Sequence, residues 1–204
     1  MSEPFVFVTV GTDHHPFDRL VRWVDAWLVA NAERGVTGLI QTGTSAAPRR
    51  AASTAYLGHA EMEAAVRRAR AVVTHGGPGS IMLCSYLGKK PIVVPRRHGL
   101  GEHVDDHQVV FSRRLAAEGG IELAETERGL HDLLDSALSR GPSAVSIGGR
   151  EHVREAVQRF ESMADALLRE PRRSSRRRDA RRAGRVGSIA GSRAERRRPD
   201  RSAK

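Results

Sequence analysis

A chain of 204 residues is long enough for one domain with a real core and too short for two generous ones. Its net charge of +10 suggests a nucleic-acid binder, but the charge is unevenly spread. Fourteen of the 34 Lys and Arg, and four of the 24 Asp and Glu, lie from residue 170 onward, leaving 20 of each before it. The expected folded part is therefore neutral, and nucleic acid is not expected as its partner.

The chain opens at Met1 to Pro4 and runs straight into FVFVTV, Phe5 to Val10, which reads as a buried strand with no signal peptide before it. Gly11-Thr12 closes that strand. Phe17, Leu20, Val21, Val24, Trp27 and Leu28 then recur at helical spacing, the stripe of an amphipathic helix. VTGLIQTG (Val36 to Gly43) predicts a second strand, TSAAPRRAAS a loop, and TAYLG (Thr54 to Gly58) a short third strand. Met62, Ala65, Val66 and Ala69 mark a helix, and AVVTH (Ala71 to His75) is the fourth strand.

A helix on GSIMLCSYLG follows and stops at Gly88; PIVVP (Pro91 to Pro95) is the fifth strand. Cys84, the one cysteine, excludes an internal disulfide framework and reads as a small buried residue in a reducing compartment. DDHQVVFSRRLAAEGG predicts the next helix, IEL a short strand, and Glu127 to Leu138 another helix. A long helix with Val153, Ala156, Val157, Phe160, Ala164, Leu167 and Leu168 on one face ends the foldable chain.

Strands alternating with crossover helices predict an α/β domain, a Rossmann-like parallel sheet with helices on both faces, over residues 1–169. Residues 170–204 are rich in Arg, Ser, Gly and Pro, lack large apolar residues and are expected to form a disordered tail. Its charge suits an anionic surface or partner, or is an extension with no partner at all. No apolar run approaches ~20 residues, so no helix is expected to cross a membrane and a cytoplasmic location is expected.

In such sheets ligands bind outside the carboxyl ends of the strands. That rim collects Gly11-Thr12, then His75-Gly76-Gly77-Pro78-Gly79-Ser80, then GEHVDDHQ. The second turn is neither the G-x-G-x-x-G dinucleotide fingerprint, which belongs after the first strand, nor a G-x-x-x-x-G-K-[ST] phosphate loop. Its free N–H groups and the helix behind it favour an anion, although a tight connection that binds nothing fits the same residues. Ser80 can add a hydroxyl or cap the helix.

GEHVDDHQ gathers Glu102, His103, Asp105, Asp106, His107 and Gln108. His103 and His107 are four apart, but Val104 stands where the zinc-protease pattern needs Glu, so no metal is expected. Alternating donors and acceptors suit a polyhydroxylated ligand such as a sugar, and Asp105 or Asp106 also serves as a helix N-cap.

Taken in order, THGGPGS, LGKKPIVVP and EHVDDHQ resemble the donor-binding half of glycosyltransferase family 28, one half of a GT-B fold. VTVGT…PFDRLVRWVD and QTG make the likeness nearest to small subunits of bacterial two-component exopolysaccharide glycosyltransferases. The small catalytic subunit of the dolichol-pathway UDP-GlcNAc transferase is also similar. The resemblance covers roughly residues 5 to 165.

It implies that Gly11, Thr12, His75, Gly76, Gly77, Gly79 and Ser80 meet the diphosphate of a UDP-sugar. The backbone near Gly58 to Met62 would lie by the uracil, and His107 and Gln108 match positions that contact the donor sugar, while Glu102 and Asp106 are substrate-binding candidates by residue type in the same cluster. It further implies an inverting hexosyltransferase, needing no cofactor beyond its donor substrate, that acts on a lipid-linked glycan acceptor. A membrane-associated partner subunit would supply the acceptor half. One departure stands out: Leu83 occupies the position where many members carry a ribose-binding Glu.

The general base is not legible. His14 and His15, beside Asp13 on the first rim loop, are candidates by residue type. A different class of function, a non-catalytic Rossmann-like module that uses its basic tail to hold RNA or an anionic membrane, predicts salt-sensitive binding that ignores the glycine turn.

Overall fold

The computed structural model describes residues 3–140 and Ser162. Six strands, β1 (Phe5–Thr9), β2 (Thr37–Gln41), β3 (Ala52–Thr54), β4 (Ala71–His75), β5 (Ile92–Val94) and β6 (Glu122–Leu123), form one sheet in the order β3-β2-β1-β4-β5-β6. Every pairing is parallel, with Thr9 opposite both Gln41 and Thr74, and His75 opposite Val94. Among the described residues, four α-helices lie between the strands, α1 (Asp18–Ala30), α2 (His59–Arg68), α3 (Pro78–Tyr86) and α4 (His107–Ala117), and α5 (Glu127–Ser139) follows β6.

Side chains of a strand alternate between the two sheet faces, and the core divides accordingly. Val6, Val8, Val73, Ile92 and Val94 pack with Leu20, Val24, Trp27 and Leu28 of α1 and Leu130 and Leu134 of α5. Phe5, Phe7 and Val72 face the other way, onto Ala65 and Val66 of α2 and Cys84 of α3. Burying each Val, Leu or Phe contributes about 1.5–3 kcal/mol. Helices therefore cover both faces, as the alternating sequence predicts. Burial pushes the Cys84 thiol up to about 12, so it is a packing residue without thiolate chemistry.

Two boundaries differ from expectation. The third strand is Ala52–Thr54, ahead of most of TAYLG. It is an edge strand with Ala52 and Ser53 exposed, so it carries no apolar pattern to read. The helix after the glycine turn starts at Pro78, with Gly77 as N-cap, so Ser80 lies inside the first turn and is not the cap. Proline suits that first position because its missing N–H would have no intrahelical partner anyway. The long apolar helix from Val153 to Leu168 and the tail of residues 170–204 lie outside the described residues.

The loop before β3 is pinned by Asp25 of α1. Its buried carboxylate accepts N–H bonds from Arg49 (2.8 Å), Arg50 (3.0 Å) and Ala51 (3.1 Å). Burial alone would raise its carboxyl, but these donors outweigh it and hold it below the ordinary carboxylate range. Asp25→Ala strands three amides and is expected to cost roughly 2–4 kcal/mol in urea unfolding; a loss under about 0.5 kcal/mol would show the loop to be held by other means.

Candidate functional site

Strand order reverses between β1 and β4, and at such a switch point the connections leave a crevice at the carboxyl edge. The loop after β1, the turn after β4 and the loop between β5 and α4 meet there.

His75 is the centre of the contact. A Cβ on Gly77 would lie 2.1 Å from its Nε2, and one on Gly11 would lie 2.4 Å from its Cε1. The imidazole is thus sandwiched between the two glycine turns, and neither position has room for a side chain. Gly11 also has φ +83°, a conformation that favours glycine. Gly76 completes the meeting: a Cβ there would approach Ser112 Oγ at 2.8 Å and Gln108 Cβ at 3.0 Å. The three motifs, separate in sequence, are in direct contact.

The first turn is further held by Gln41 at the end of β2. Its Nε2 donates to the Gly11 carbonyl (3.0 Å) and the Ala55 carbonyl (2.9 Å), while its Oε1 accepts from the Thr9 hydroxyl. The Thr9 hydroxyl in turn accepts from the Gly11 N–H at 3.2 Å.

Desolvation, reinforced by the positive charge of Arg96, pushes the His75 pKa down to about 4. Its Nδ1 is buried and has no hydrogen-bond partner among the described residues. The ring is therefore neutral at pH 7 and adds shape, not charge. The unfolded chain protonates this histidine near 6.5, so between pH 6.5 and about 4 it binds a proton that the fold refuses. Stability is expected to fall by roughly 2–4 kcal/mol as pH drops through that window. Urea unfolding from pH 7 to 4 should lose most of this slope in His75→Gln; an unchanged slope would assign it to other groups.

At α3, Gly77 (N-cap), Gly79 and Ser80 present N–H groups at the start of a helix, where the first donors have no intrahelical partner. Space around Gly79 is open. Leu83, one turn on, packs against the core cluster of Phe7 and Val72, so its side chain has no polar use. By α2, the Gly58 N–H is already taken by Glu61 Oε2 at 2.8 Å, which removes one of the amides expected near the base.

The loop between β5 and α4 is built around two arginines. Arg96 is fully buried: one terminal nitrogen donates to the carbonyls of His15 (2.6 Å) and Glu102 (2.9 Å), the other to Val10 (2.7 Å). Arg19 of α1 meets both carboxylate oxygens of Glu102 at 2.7 Å, and the Arg97 N–H reaches one of them at 2.9 Å. Glu102, a substrate-binding candidate by residue type, is 5% exposed and committed to this frame. Asp106 accepts from the His98 N–H at 2.9 Å, and Gln108 from the Arg96 N–H at 3.3 Å. His107 is exposed and lies 2.7 Å from Asp105.

On the first rim loop, His15 Nδ1 is 2.6 Å from Asp13, while His14 is largely exposed. Thr12 is the exposed residue after Gly11. Arg96 and Arg19 are what the sequence reading missed. Their only signal was an arginine directly after a strand and another in PFDRL, and exposed arginines look the same in one dimension.

A family model described as the glycosyltransferase family 28 C-terminal domain matches residues 5–163. Among solved structures, CalG4, the calicheamicin glycosyltransferase, is similar over 78% of this chain and 38% of its own, at 16% identity and a TM-score of 0.51. ALG13, solved by NMR, is similar over 76% of this chain and 95% of its own, at 18% identity and a TM-score of 0.53. MurG of Acinetobacter baumannii matches over 79% and 52%, at 14% identity and a TM-score of 0.51.

At these identities the likeness establishes the fold, the Rossmann-like half of a GT-B architecture. The chain spans about two fifths of the length of CalG4 and half of MurG. No curated protein matches it by sequence. The family match runs through all six strands and the three loops that meet at their carboxyl edge, so the chain belongs to glycosyltransferase family 28, as its C-terminal domain.

Proposed function

We propose that this chain is the nucleotide-sugar-binding subunit of an inverting glycosyltransferase that takes a hexose or hexuronate from a UDP-sugar. The observation that carries the reading is the contact of His75, Gly76 and Gly77 with Gly11 on one side and Gln108 on the other, at the sheet's switch point. The N-terminus of α3 opens at that contact. A diphosphate seated there meets the N–H groups of Gly77, Gly79 and Ser80 and the positive end of the helix.

In the reaction, an acceptor hydroxyl oxygen forms a bond to the anomeric carbon from the face opposite the diphosphate. The bond from that carbon to the diphosphate oxygen breaks, and UDP carries away the electron pair. Fixed N–H dipoles stabilise the charge that develops on the leaving group, because they need no reorganisation as it forms. The hydroxyl proton goes to a general base, which we assign to the acceptor half on a separate subunit. His15, with its Nδ1 2.6 Å from the Asp13 carboxylate, and the exposed His14 are the alternative base on this chain's own rim.

The acceptor proposed is a lipid-linked glycan in exopolysaccharide or cell-envelope synthesis, reached at the cytoplasmic membrane face through the partner. Among the described residues, no helix is long and apolar enough to cross a membrane. His107 and Gln108, at the start of α4, are the proposed contacts to the donor sugar.

Calorimetric titration of the chain with UDP, repeated on a chain ending at residue 170, tests the reading. Binding that survives the shortening supports it. No UDP binding by either chain, with RNA or anionic vesicles bound by the full chain and not by the shortened one, would favour the non-catalytic module.

A further inference from the structure

We propose that the rim loops hold a divalent transition-metal ion of the zinc type, ligated by Asp13, His14 and His15 of the β1–α1 loop and His103 of the β5–α4 loop. One donor atom each from Asp13, His14 and His15 lies within 4.8 Å of the others. His15 Nδ1 is 2.6 Å and His14 Nδ1 3.8 Å from the same Asp13 oxygen. His103 Nε2 lies 3.9 Å from the other oxygen of that carboxylate. A tetrahedral ion with bonds of about 2.0 Å needs its donors about 3.3 Å apart, so seating one requires the His103 ring, now 6.2 Å from the His15 ring between centroids, to turn inward toward the first loop.

A second observation points the same way. His103 turns its other nitrogen, Nδ1, toward Asp105 Oδ1 at 3.3 Å, and that buried nitrogen makes no hydrogen bond among the described residues. Metal-bound imidazoles are oriented by a hydrogen bond from their other nitrogen to a carboxylate, and the turn of the ring that seats Nε2 on an ion would bring the Nδ1–H onto Asp105. Asp105 is itself fixed: its oxygens receive the His107 N–H at 3.1 Å and lie 2.7 Å from His107 Nδ1.

Three imidazoles with one carboxylate select zinc, nickel or cobalt(II) over magnesium or calcium, whose sites are built of oxygen. The ion would be structural. It ties the β1–α1 loop to the β5–α4 loop, the two that Arg96 already joins from inside through the carbonyls of His15 and Glu102. This departs from the expectation of no metal, which weighed His103 against His107 and left the first loop out. The proposed transfer chemistry does not call on it.

The test is titration of the full chain, freed of any purification tag and of bound metal, with Zn2+ by calorimetry and with Co2+ by its visible absorption. One equivalent is expected, with a Kd of about 1 µM or tighter and a tetrahedral cobalt spectrum. His15→Ala and His103→Ala should each weaken binding at least 10-fold, and Asp105→Asn by about 10- to 100-fold, while His59→Ala on α2 changes nothing. Circular dichroism checks that each variant is folded, with His15→Asn and His103→Asn replacing any that is not.

Zinc should also raise the Tm of the unmodified chain and of His59→Ala, but not of His103→Ala. No saturable binding below about 0.1 mM Zn2+, or affinity unchanged in both histidine variants, would overturn the proposal. The donor reading stands apart from it. A chain that binds Zn2+ without UDP keeps the metal site and loses the donor site, and one that binds UDP without Zn2+ does the reverse.

Discussion

Gly77→Asp is expected to lower UDP affinity by at least about 100-fold in calorimetric titration. Two causes act together. The first is steric: a Cβ would stand 2.1 Å from His75 Nε2, and the ring has no retreat because Gly11 closes its other side. Moving the ring displaces one turn or the other, at a cost of about 1–3 kcal/mol typical of overpacking. The second is electrostatic. A carboxylate at the start of α3 occupies the end of the helix that favours anions and repels the diphosphate. At about 5 Å with an effective dielectric near 20, each pair of unit charges costs about 3 kcal/mol, already more than 100-fold.

Gly79→Asp separates the two causes. Nothing lies within 4 Å of a Cβ there, so the fold is expected to be unaffected while affinity still falls at least about 10-fold. If Gly79→Asp binds UDP as tightly as the unmodified chain, the diphosphate does not sit at the start of α3. If Gly77→Asp is folded and binds normally, the donor reading of the whole rim fails.

Arg96→Met is the second large effect. The guanidinium is fully buried and donates to the carbonyls of Val10, His15 and Glu102, one from each of three loop positions. It also lies over the Phe17 ring, 4.8 Å from its centroid. Burial lowers its pKa, with the charges of Asp13 and Glu102 working in the opposite direction. Methionine fills similar volume and leaves three carbonyls without donors. Urea unfolding is expected to show a loss of about 3–5 kcal/mol. Arg96→Lys should recover less than half, because one ammonium cannot span three carbonyls presented to a planar fork. A loss below about 1 kcal/mol would mean the rim is fixed without this residue.

Much of the fold was legible because strand and helix periodicities differ. Phe5 to Val10 and Ala71 to His75 stood out as uninterrupted apolar strands, since parallel strands are buried on both faces. The α1 stripe ran from Phe17 to Leu28, and the buried apolar residues of that helix fall on it, with Asp25 the one buried residue of the helix off it. The edge strand β3 was misplaced because its side chains face solvent and its ends are set by hydrogen bonds to β2. The N-terminus of α3 was read late because Ser80 looks like a cap, whereas a glycine followed by proline opened the helix.

By itself, then, the sequence determined the parallel α/β class, the carboxyl-edge rim and the three motifs that occupy it, since these follow from local pattern and from glycines with no other use. Only the tertiary structure decided what those motifs do to one another. His75 as the wedge between two glycine turns, Glu102 as the anchor of Arg19, and Arg96 as the buried cation behind both loops all depend on contacts between residues 64 to 86 positions apart. A one-dimensional pattern records what a residue is and how its neighbours repeat. Which distant carbonyl, carboxylate or ring it meets is fixed only when strand order brings β1, β4 and β5 side by side.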